Sequence, residues 1–424
     1  MRGCRTILAF VTSRKLRITV LGLNYAPEPS GNAPYTASLA EGLAAAGHTV
    51  HVLTGFPHYP EWTLKEGYSG WKMKEVINGV SVQRLRHFVP RNPTALSRMH
   101  MELSFGARLV TARWRNPDVV LVVSPALLSS GLSIMRLRVR RNRPAVAIWV
   151  QDLYSRGVVE TGTGGNLLAR FASFLESKIL CSADGVAAIH ERFKHHMVSV
   201  LGVPPERVEV IRNWTHLPPT PVSGVSGIRT ELGWGPEEVV VLHAGNMGKK
   251  QGLENVVDAA RIASDQGSPV RFVLMGDGNQ RRHLENLSRG IPRISFLDSL
   301  PGNEFQLALA AADVLLVNEL PGLRDMAVPS KLTSYFNAGV PVIAATDQNS
   351  VTASEIENCK GGVRVDPADP GALLETAAAL ARDPALCAEI ASNALRFRRE
   401  TLSESAAIAH YDEFITSLAS SRGR

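Results

Sequence analysis

The chain has 424 residues, of which 45 % are hydrophobic and 20 % charged, a composition typical of globular proteins. This length predicts two or three domains and excludes a disordered or fibrous chain. The net charge of +7 favours an anionic partner, such as a nucleotide phosphate, an acidic lipid surface or a nucleic acid. Aromatic residues make up only 6 % and do not alternate with the basic clusters, so we expect no nucleic-acid binding.

Cysteine spacing and hydropathy argue against several further classes of protein: disulfide-linked, metal-binding, membrane-spanning and secreted. The four cysteines lie far apart without a CxxC pair, and the histidines are scattered, so we predict no disulfide framework and no metal site. We expect no cofactor, since a bound nucleotide would be a substrate. No apolar run approaches the ~18 residues of a membrane-spanning helix. The N-terminal run, residues 7–11, is too short for a signal peptide. We expect a cytoplasmic protein in which residues 1–15 are a loose extension.

Strand and helix patterns alternate along the first half of the chain. Unbroken apolar runs predict strands of a parallel sheet, because such strands are buried on both faces. The first helix pattern, 33–46, ends at Gly47, and a second covers 167–180. The predicted strands are 16–23, 48–54, 118–123, 145–150 and 184–190.

The alternation stops at a segment rich in proline and glycine and then starts again. We place a linker at 213–227, between lobes at 16–212 and 228–402. The predicted strands of the second lobe are 237–245, 269–278, 294–300, 312–317, 341–345 and 361–366. Its predicted helices are 252–264, 304–311, 331–338 and 373–382, and residues 403–424 form a final helix. Two α/β lobes imply a cleft with ligands at the carboxyl ends of the strands.

The loop after the first strand does not have the pattern of a dinucleotide-binding site. Gly22 and Gly31 stand nine residues apart, and GxGxxG is absent. Ser30, Gly31 and Asn32 instead precede a helix whose N-terminus could hold an anion. Ser30 or Asn32 could equally be no more than a helix cap.

Two loops of the second lobe suit a diphosphate. In HAGNMGKKQG (243–252), small glycines allow close backbone approach, and Lys249 and Lys250 supply charge. A tight turn with solvated lysines is the alternative, and GxxxxGK[ST] is absent. In the second loop, Ser330 and Lys331 open a helix after Pro329, a place that suits a phosphate gaining charge. A nucleoside diphosphate spanning both loops is the simplest interpretation.

Candidates for acid–base chemistry are few. Asp152 stands at the carboxyl end of the strand 145–150, facing the predicted cleft, although it could simply cap the next segment. Asp325 precedes Pro329, and His190 ends another strand, where a structural histidine is equally plausible. A basic cluster follows an apolar segment and is either a solvated helix end or a membrane-facing patch. Its members are Arg136, Arg138, Arg140, Arg141 and Arg143.

The motifs LGLNYAPEPSG, GFPHYPEW, WVQDLY, RNW, GNMGKKQGLENV and PSKLTS occur in this order. Together they closely resemble family 4 glycosyltransferases of exopolysaccharide synthesis, of the colanic acid fucosyltransferase type. The resemblance implies the α/β GT-B fold, with two Rossmann-like lobes and a C-terminal helix that returns to the N-terminal lobe. It also implies a retaining, metal-independent transfer in which the donor diphosphate helps to deprotonate the acceptor.

The resemblance also implies roles for individual residues. The Gly31 loop lies against the reacting sugar and phosphate. We assign Asn32 and His190, on the same lobe, to the acceptor. Asn246 and Gln251 replace an Arg and a Lys that grip the diphosphate, which leaves Lys250 as the substitute cation. The family's glutamate pair would fall at Met326 and Ser334, so both are missing, and Gln151 stands where a His is frequent.

The remaining assignments complete the implied site. Asp325 is the substitute for the first missing glutamate, and Leu300 and Ser334 are assigned to the nucleotide base and ribose. Asp152 and Asp325 are the predicted catalytic residues.

The sequence thus predicts transfer of fucose or an N-acetylated amino sugar from a UDP- or GDP-sugar to a lipid-linked saccharide. We expect this to occur at the inner face of the membrane, on an anionic lipid surface. One alternative is a nucleotide-sugar epimerase or hydrolase on the same scaffold. Another is a sugar-binding module without catalysis.

Overall fold

The computed structural model describes residues 14–29, 31–138, 143–153, 166–215, 224–323 and 330–422. Within these residues the chain forms two sheets, and each sheet has its own hydrophobic core on its faces. No helix in the described ranges is long and apolar enough to cross a membrane.

The first sheet has eight strands in the order β3-β4-β2-β1-β5-β6-β7-β8. All neighbours pair in parallel except β3 and β4, which form an antiparallel edge. The strands are β1 (Arg17–Leu21), β2 (Thr49–Gly55), β3 (Lys72–Ile77), β4 (Val80–Leu85), β5 (Val119–Ser124), β6 (Ala145–Val150), β7 (Gly185–Ala188) and β8 (Val208–Val210). Strands β5 and β6 are buried at every residue, as parallel strands covered on both faces must be.

Helices connect these strands on both faces of the sheet. They are α1 (Ala33–Ala45), α2 (Ala95–Thr111), α3 (Leu127–Arg138), α4 (Asn166–Leu180) and α5 (Glu191–Ser199). The strand order reverses between β1 and β5, and the carboxyl ends of strands at such a reversal are where open α/β sheets bind ligands.

The second sheet has six parallel strands in the order β11-β10-β9-β12-β13-β14. They are β9 (Val239–Ala244), β10 (Val270–Met275), β11 (Ile294–Leu297), β12 (Val314–Asn318), β13 (Val342–Ala345) and β14 (Gly362–Val365). Here the order reverses between β9 and β12, which brings the loops after these two strands together.

Helices cover both faces of this sheet as well. They are α6 (Val225–Glu231), α7 (Glu254–Asp265), α8 (Arg281–Leu287), α9 (Gly302–Ala311), α10 (Ser330–Ala338), α11 (Val351–Cys359), α12 (Pro370–Arg382) and α13 (Pro384–Glu400).

The last helix, α14 (Glu404–Ser421), packs against the first lobe. Its Tyr411 is fully buried beside Trp149 and Trp214, with ring centroids 5.1 and 6.2 Å away. His48 Nε2 and Asp412 Oδ1 lie 2.7 Å apart in the same contact. This confirms the predicted return of the C-terminal helix.

The two-lobed α/β architecture is as expected, whereas several elements have no counterpart among the predictions. They include the β3–β4 hairpin, α2 and α13, which have mixed or weak hydrophobic patterns. The first sheet ends at Val210 and the second begins at Val239, and residues 216–223 between them lie outside the described residues. The lobe and linker boundaries stay predictions, and residues 1–13 of the predicted extension are not described either.

Candidate active site

The loop after β9 is shaped by glycines that allow two backbone segments to touch. A Cβ at Gly276 would overlap the carbonyl oxygen of Gly245, and one at Gly278 would overlap that of Met247. The Met247 N–H donates to the Asp277 carbonyl at 2.8 Å. The GDG segment (276–278), for which the sequence indicates only a turn, therefore packs against the glycine-rich loop and fixes its position.

The end of the glycine-rich loop is a 3₁₀ turn, Lys249–Gln251, fixed by amide side chains. Gln251 Oε1 accepts a hydrogen bond from Gly248 N at 3.0 Å, so this oxygen is used within the loop. The buried Asn318 donates to the Gln251 and Gly252 carbonyls, both at 2.9 Å. Asn246 and Lys250 are exposed and can reach a ligand.

Lys331, in the first turn of α10, extends over the same loop. Its Nζ donates to Nε2 of the fully buried His243 at 3.1 Å and lies 3.7 Å from the position of a Cβ on Gly245. Burial lowers the pKa of Lys331 to about 7, with the carboxylate of Glu319 acting in the opposite direction. Burial also lowers the pKa of His243, so its ring is neutral and Nε2 accepts a hydrogen bond from Lys331.

Glu319 is a functional candidate that the sequence analysis missed. It directly follows β12, and its carboxylate accepts hydrogen bonds from the hydroxyls of Thr346 and Thr352, the latter at 2.6 Å. Burial raises its pKa, although these hydroxyls and Lys331 act against the rise. Its position in the sequence could have identified it, because Glu319 follows a buried strand just as Asp152 does.

Other predicted donor contacts lie around α10. Ser330 begins this helix, with its side chain outside the described residues, as is the whole of Asp325. Ser334 is partly buried one turn after Lys331, and Leu300 packs partly buried against the second-lobe core. The roles assigned to these residues stay predictions.

Asp152 follows β6 in the first lobe and faces the glycine-rich loop of the second. Its Oδ1 accepts a hydrogen bond from Leu153 N at 2.9 Å. Burial raises its pKa to about 6, while the positive charge of Lys250 acts to lower it. The structure thus brings Asp152 and Lys250, from opposite lobes, within electrostatic range of each other.

The loop after β1 is held by one buried carboxylate. Glu28 accepts hydrogen bonds from the backbone N–H groups of His58 and Tyr59, at 2.8 and 2.9 Å, and from the side chain of Asn24 at 2.9 Å. The motifs LGLNYAPEPSG and GFPHYPEW are therefore a single structural unit, with Glu28 as its unpredicted centre.

Gly31 and Asn32 stand at the N-terminus of α1. Gly31 has φ +68°, a conformation that favours glycine, beside the ring of Tyr59. The side chain of Asn32 makes no capping hydrogen bond, so the alternative of a simple cap is not realised for it. Ser30 lies outside the described residues.

His190 contacts the second lobe. Its Nδ1 accepts from Arg192 N at 3.1 Å, and its Nε2 lies 3.0 Å from Glu355 of α11. Glu355 also binds Arg212 at 2.5 Å. Both ring nitrogens are engaged within the protein, and the predicted acceptor contact of His190 stays a prediction.

Two arginines of the basic cluster, Arg136 and Arg143, are engaged within the protein. Arg136 Nη1 donates to the carbonyls of Leu109 and Ala112, both at 2.8 Å, and its guanidinium lies 4.5 Å from the Trp114 ring centroid. Arg143 pairs with Asp184. Leu109 and Ala112 lie at the C-terminal end of α2, where carbonyls lack intrahelical partners, and Arg136 satisfies them. Arg138 is exposed, and Arg140 and Arg141 lie outside the described residues.

Within the described ranges, no three His, Cys, Asp or Glu residues lie close enough together to hold a metal ion. Cys181, Cys359 and Cys387 are free thiols, and Cys4 is not described.

Two doubly wound lobes facing a cleft, with a glycine-rich loop on one side and a carboxylate on the other, are the architecture of the GT-B class of glycosyltransferases. Comparison with known families agrees. Residues 30–214 match the "Glycosyl transferase 4-like domain" and residues 238–383 match "Glycosyl transferases group 1".

One relative covers most of the chain. The putative colanic acid biosynthesis glycosyl transferase WcaI of Escherichia coli (strain K12) is 30% identical over 375 residues, which is 85% of this chain and 90% of the relative.

Solved structures share the fold. Sucrose-phosphate synthase of Thermosynechococcus elongatus has a TM-score of 0.74 at 18% identity, covering 96% of this chain and 100% of that one. Anabaena Alr3699/HepE, in complex with UDP, has a TM-score of 0.69 at 17% identity, covering 95% and 100%.

The chain belongs to the family 4 glycosyltransferases of the exopolysaccharide type. It is an enzyme that transfers glycosyl groups. Both family models describe transferases, and they give no support to the epimerase or hydrolase alternative.

Proposed function

We propose that this enzyme transfers a sugar from a UDP- or GDP-sugar to a lipid-linked saccharide, with retention of configuration and without a metal ion. We expect the sugar to be fucose or an N-acetylated amino sugar. The observation that carries the proposal is the ammonium of Lys331, held over the backbone of the glycine-rich loop at the start of α10. A nucleotide-sugar donor is further supported by the UDP and UDP-glucose complexes of HepE, a structural neighbour.

The donor diphosphate would lie between Lys331, Lys250 and the N–H groups of the loop that begins at Gly245. In the free enzyme the pKa of Lys331 is about 7, so the residue is only partly protonated at neutral pH. A bound dianion would raise this pKa, because an opposite charge favours the ammonium. Binding of the diphosphate therefore favours the fully protonated, positively charged form of Lys331.

In the transfer step, the acceptor hydroxyl oxygen attacks the anomeric carbon on the face from which the diphosphate departs. The bond between that carbon and the donor phosphate oxygen breaks, and its electron pair leaves with the nucleoside diphosphate. The hydroxyl proton passes to an oxygen of the departing phosphate. Lys331 and Lys250 stabilise the negative charge that develops there. Asp152, in the facing lobe, orients the acceptor or donor hydroxyl.

A lipid-linked acceptor requires a membrane surface, and α2, α3 and α4 offer one. These helices lie side by side and expose large apolar residues: Leu96 (74 %), Met135 (65 %), Phe171 (62 %) and Phe174 (59 %). Basic residues lie among them, namely Arg98, Arg138, Arg170 and Lys178, all exposed. Apolar side chains inserted between cations are suited to an anionic bilayer. We therefore assign the membrane contact to this face, at the cytoplasmic side of the membrane.

The donor proposal is tested by incubating the enzyme with UDP- and GDP-sugars and identifying the products. Transfer or slow release of free sugar and nucleotide supports it, whereas an epimerised donor or binding without turnover contradicts it. Lys331→Met should lower kcat/KM about tenfold to hundredfold, since a charged hydrogen bond is worth about 1.5–3 kcal/mol. Lys250→Ala should act in the same direction. Arg289→Ala, which removes a positive charge from an exposed position of the same lobe, is the control.

The membrane proposal is tested by flotation with vesicles. The enzyme should float with vesicles rich in phosphatidylglycerol at low salt and be released at high salt. The double variant Phe171→Ser/Phe174→Ser should lose flotation. Leu287→Ser/Leu386→Ser, at exposed apolar positions of the second lobe, should retain it. Equal binding to neutral vesicles, or equal loss in both variants, contradicts the assignment.

A further inference from the structure

A second large cleft lies in the first lobe, away from the donor site. It has a volume of about 810 Å³ and opens between the β3 edge of the sheet and the end of α2. Its lining includes residues 113, 115 and 116, which precede β5, and extends along the β3–β4 edge of the sheet to Trp71 and Leu85. None of the described residues that we assign to the transfer reaction lines this cleft.

The charge of this cleft has one sign. Among the residues that the structure describes, five cations line it and no carboxylate does. They are Lys72, Lys74, Arg108, Arg113 and Arg115. These cations come from an edge strand, a helix end and a loop, so the positive charge surrounds the space rather than covering one helix face. Clustered charge of one sign in a concave site concentrates ligands of the opposite sign.

Two further side chains point to more than a phosphate ligand. Gln83 is only 7 % exposed, lines the cleft, and has no hydrogen-bond partner for its side-chain amide among the described residues. Trp71 is 74 % exposed, with the Arg108 guanidinium 4.7 Å from its ring centroid. A neutral amide is suited to a hydroxyl group, and an indole face is suited to the apolar face of a sugar ring.

We propose that this cleft binds an acidic oligosaccharide, with sugar carboxylates paired to the cations, a ring against Trp71 and a hydroxyl on Gln83. Planar guanidinium groups bind carboxylates through two parallel hydrogen bonds, which suits Arg113 and Arg115. A flat bilayer cannot reach Gln83 in the interior of a cleft, whereas a saccharide chain can. That the bound chain is a segment of the glycan being built rests on the proposed function; the binding chemistry itself does not.

The test measures binding by isothermal titration calorimetry with a pentamer of galacturonic acid as the probe. The pentamer should bind, and maltopentaose, a neutral chain of equal length, should not. Arg113→Gln/Arg115→Gln and Trp71→Ala should each weaken binding at least about tenfold, because each removes a charged or stacking contact. Arg282→Gln/Arg289→Gln removes the same charge from exposed positions of the second lobe and should leave binding unchanged.

Three results would overturn the proposal. The first is equal binding of maltopentaose, and the second is equal loss of binding in the control variant. The third is full displacement of the pentamer by inorganic pyrophosphate or by phosphatidylglycerol vesicles at matched charge, which would reassign the cleft to phosphate or to lipid. Donor turnover, measured on the same samples, separates failure of this proposal from failure of the proposed function, because Arg113, Arg115 and Trp71 lie outside the donor site.

Discussion

At the scale of single residues, a charge in one lobe shifts the pKa of a carboxyl group in the other. Asp152 belongs to the first lobe and Lys250 to the second, yet the charge of Lys250 acts directly on the pKa of Asp152. Burial raises that pKa to about 6, from an ordinary value of 3.8, and Lys250 limits the rise. The pKa of Asp152 therefore depends on how closely the second lobe brings Lys250 to it.

The pH profile of kcat/KM should record this coupling. If ionised Asp152 orients the reacting hydroxyl, activity should fall as the pH decreases through about 6. Lys250→Ala removes the charge that lowers this pKa, so its acidic limb should move to higher pH. Asp152→Asn should lose the limb, lower turnover about 10²- to 10⁴-fold and leave nucleotide binding intact.

The control for this shift is Lys249→Ala, because Lys249 is exposed and is not among the charges that act on Asp152. An unchanged acidic limb in Lys250→Ala would show that Asp152 does not set it. Full activity in Asp152→Asn would make Asp152 a structural residue.

At the scale of elements, the donor loop depends on a second loop behind it. Gly276→Ala should displace the glycine-rich loop, because the added methyl would overlap the Gly245 carbonyl. We expect donor binding to weaken more than tenfold, by analogy with the cost of misplacing a charged contact. Nucleotide affinity, measured by thermal shift or calorimetry, checks the effect.

Gly267→Ala is the control that distinguishes the steric overlap at Gly276 from the backbone strain that both positions share. Gly267 also has positive φ, +62°, but a Cβ there meets nothing within 4 Å. This variant should lose some stability and keep its affinity for the nucleotide. Equal loss of affinity in both variants would mean that general destabilisation, rather than the loop contact, explains the result.

The same elements show how far sequence reasoning reaches. The buried strands β5, β6 and β12 could be predicted because both faces are apolar, and loops at their carboxyl ends were the natural place for a site. The edge strand β3 alternates between exposed and half-buried residues, and helix α2 has an exposed apolar face, so neither has a clear core pattern. Partners distant in sequence, such as Lys331 with His243, follow only from the way the loops fold together.

At the scale of the whole molecule, a buried hydrogen-bonded triad joins the two lobes. Glu355 of α11 binds His190 and Arg212 of the first lobe, and it is almost completely buried. Despite burial, the pKa of Glu355 lies below its usual value, because His190 and Arg212 favour the carboxylate. The hydroxyl of Thr215 adds a hydrogen bond to the Thr333 carbonyl of α10 at 3.2 Å. The lobes are thus connected by charge next to the helix that holds Lys331.

This triad predicts a pH-dependent stability. Because folding lowers the pKa of Glu355, its contribution is fully present above about pH 4.5 and is lost as the pH falls through the lower folded value. Glu355→Gln should lower the free energy of unfolding by about 3–5 kcal/mol at neutral pH, since it leaves Arg212 without its buried partner.

The difference in unfolding free energy between this variant and the parent should become smaller at acidic pH. Glu209→Gln, in the more exposed pair with His410, should cost less than about 1 kcal/mol. Denaturant unfolding of the three proteins at neutral and acidic pH measures both effects. An equal loss in the two variants, or a gap for Glu355→Gln that does not depend on pH, would exclude the triad as the connection that holds the lobes together.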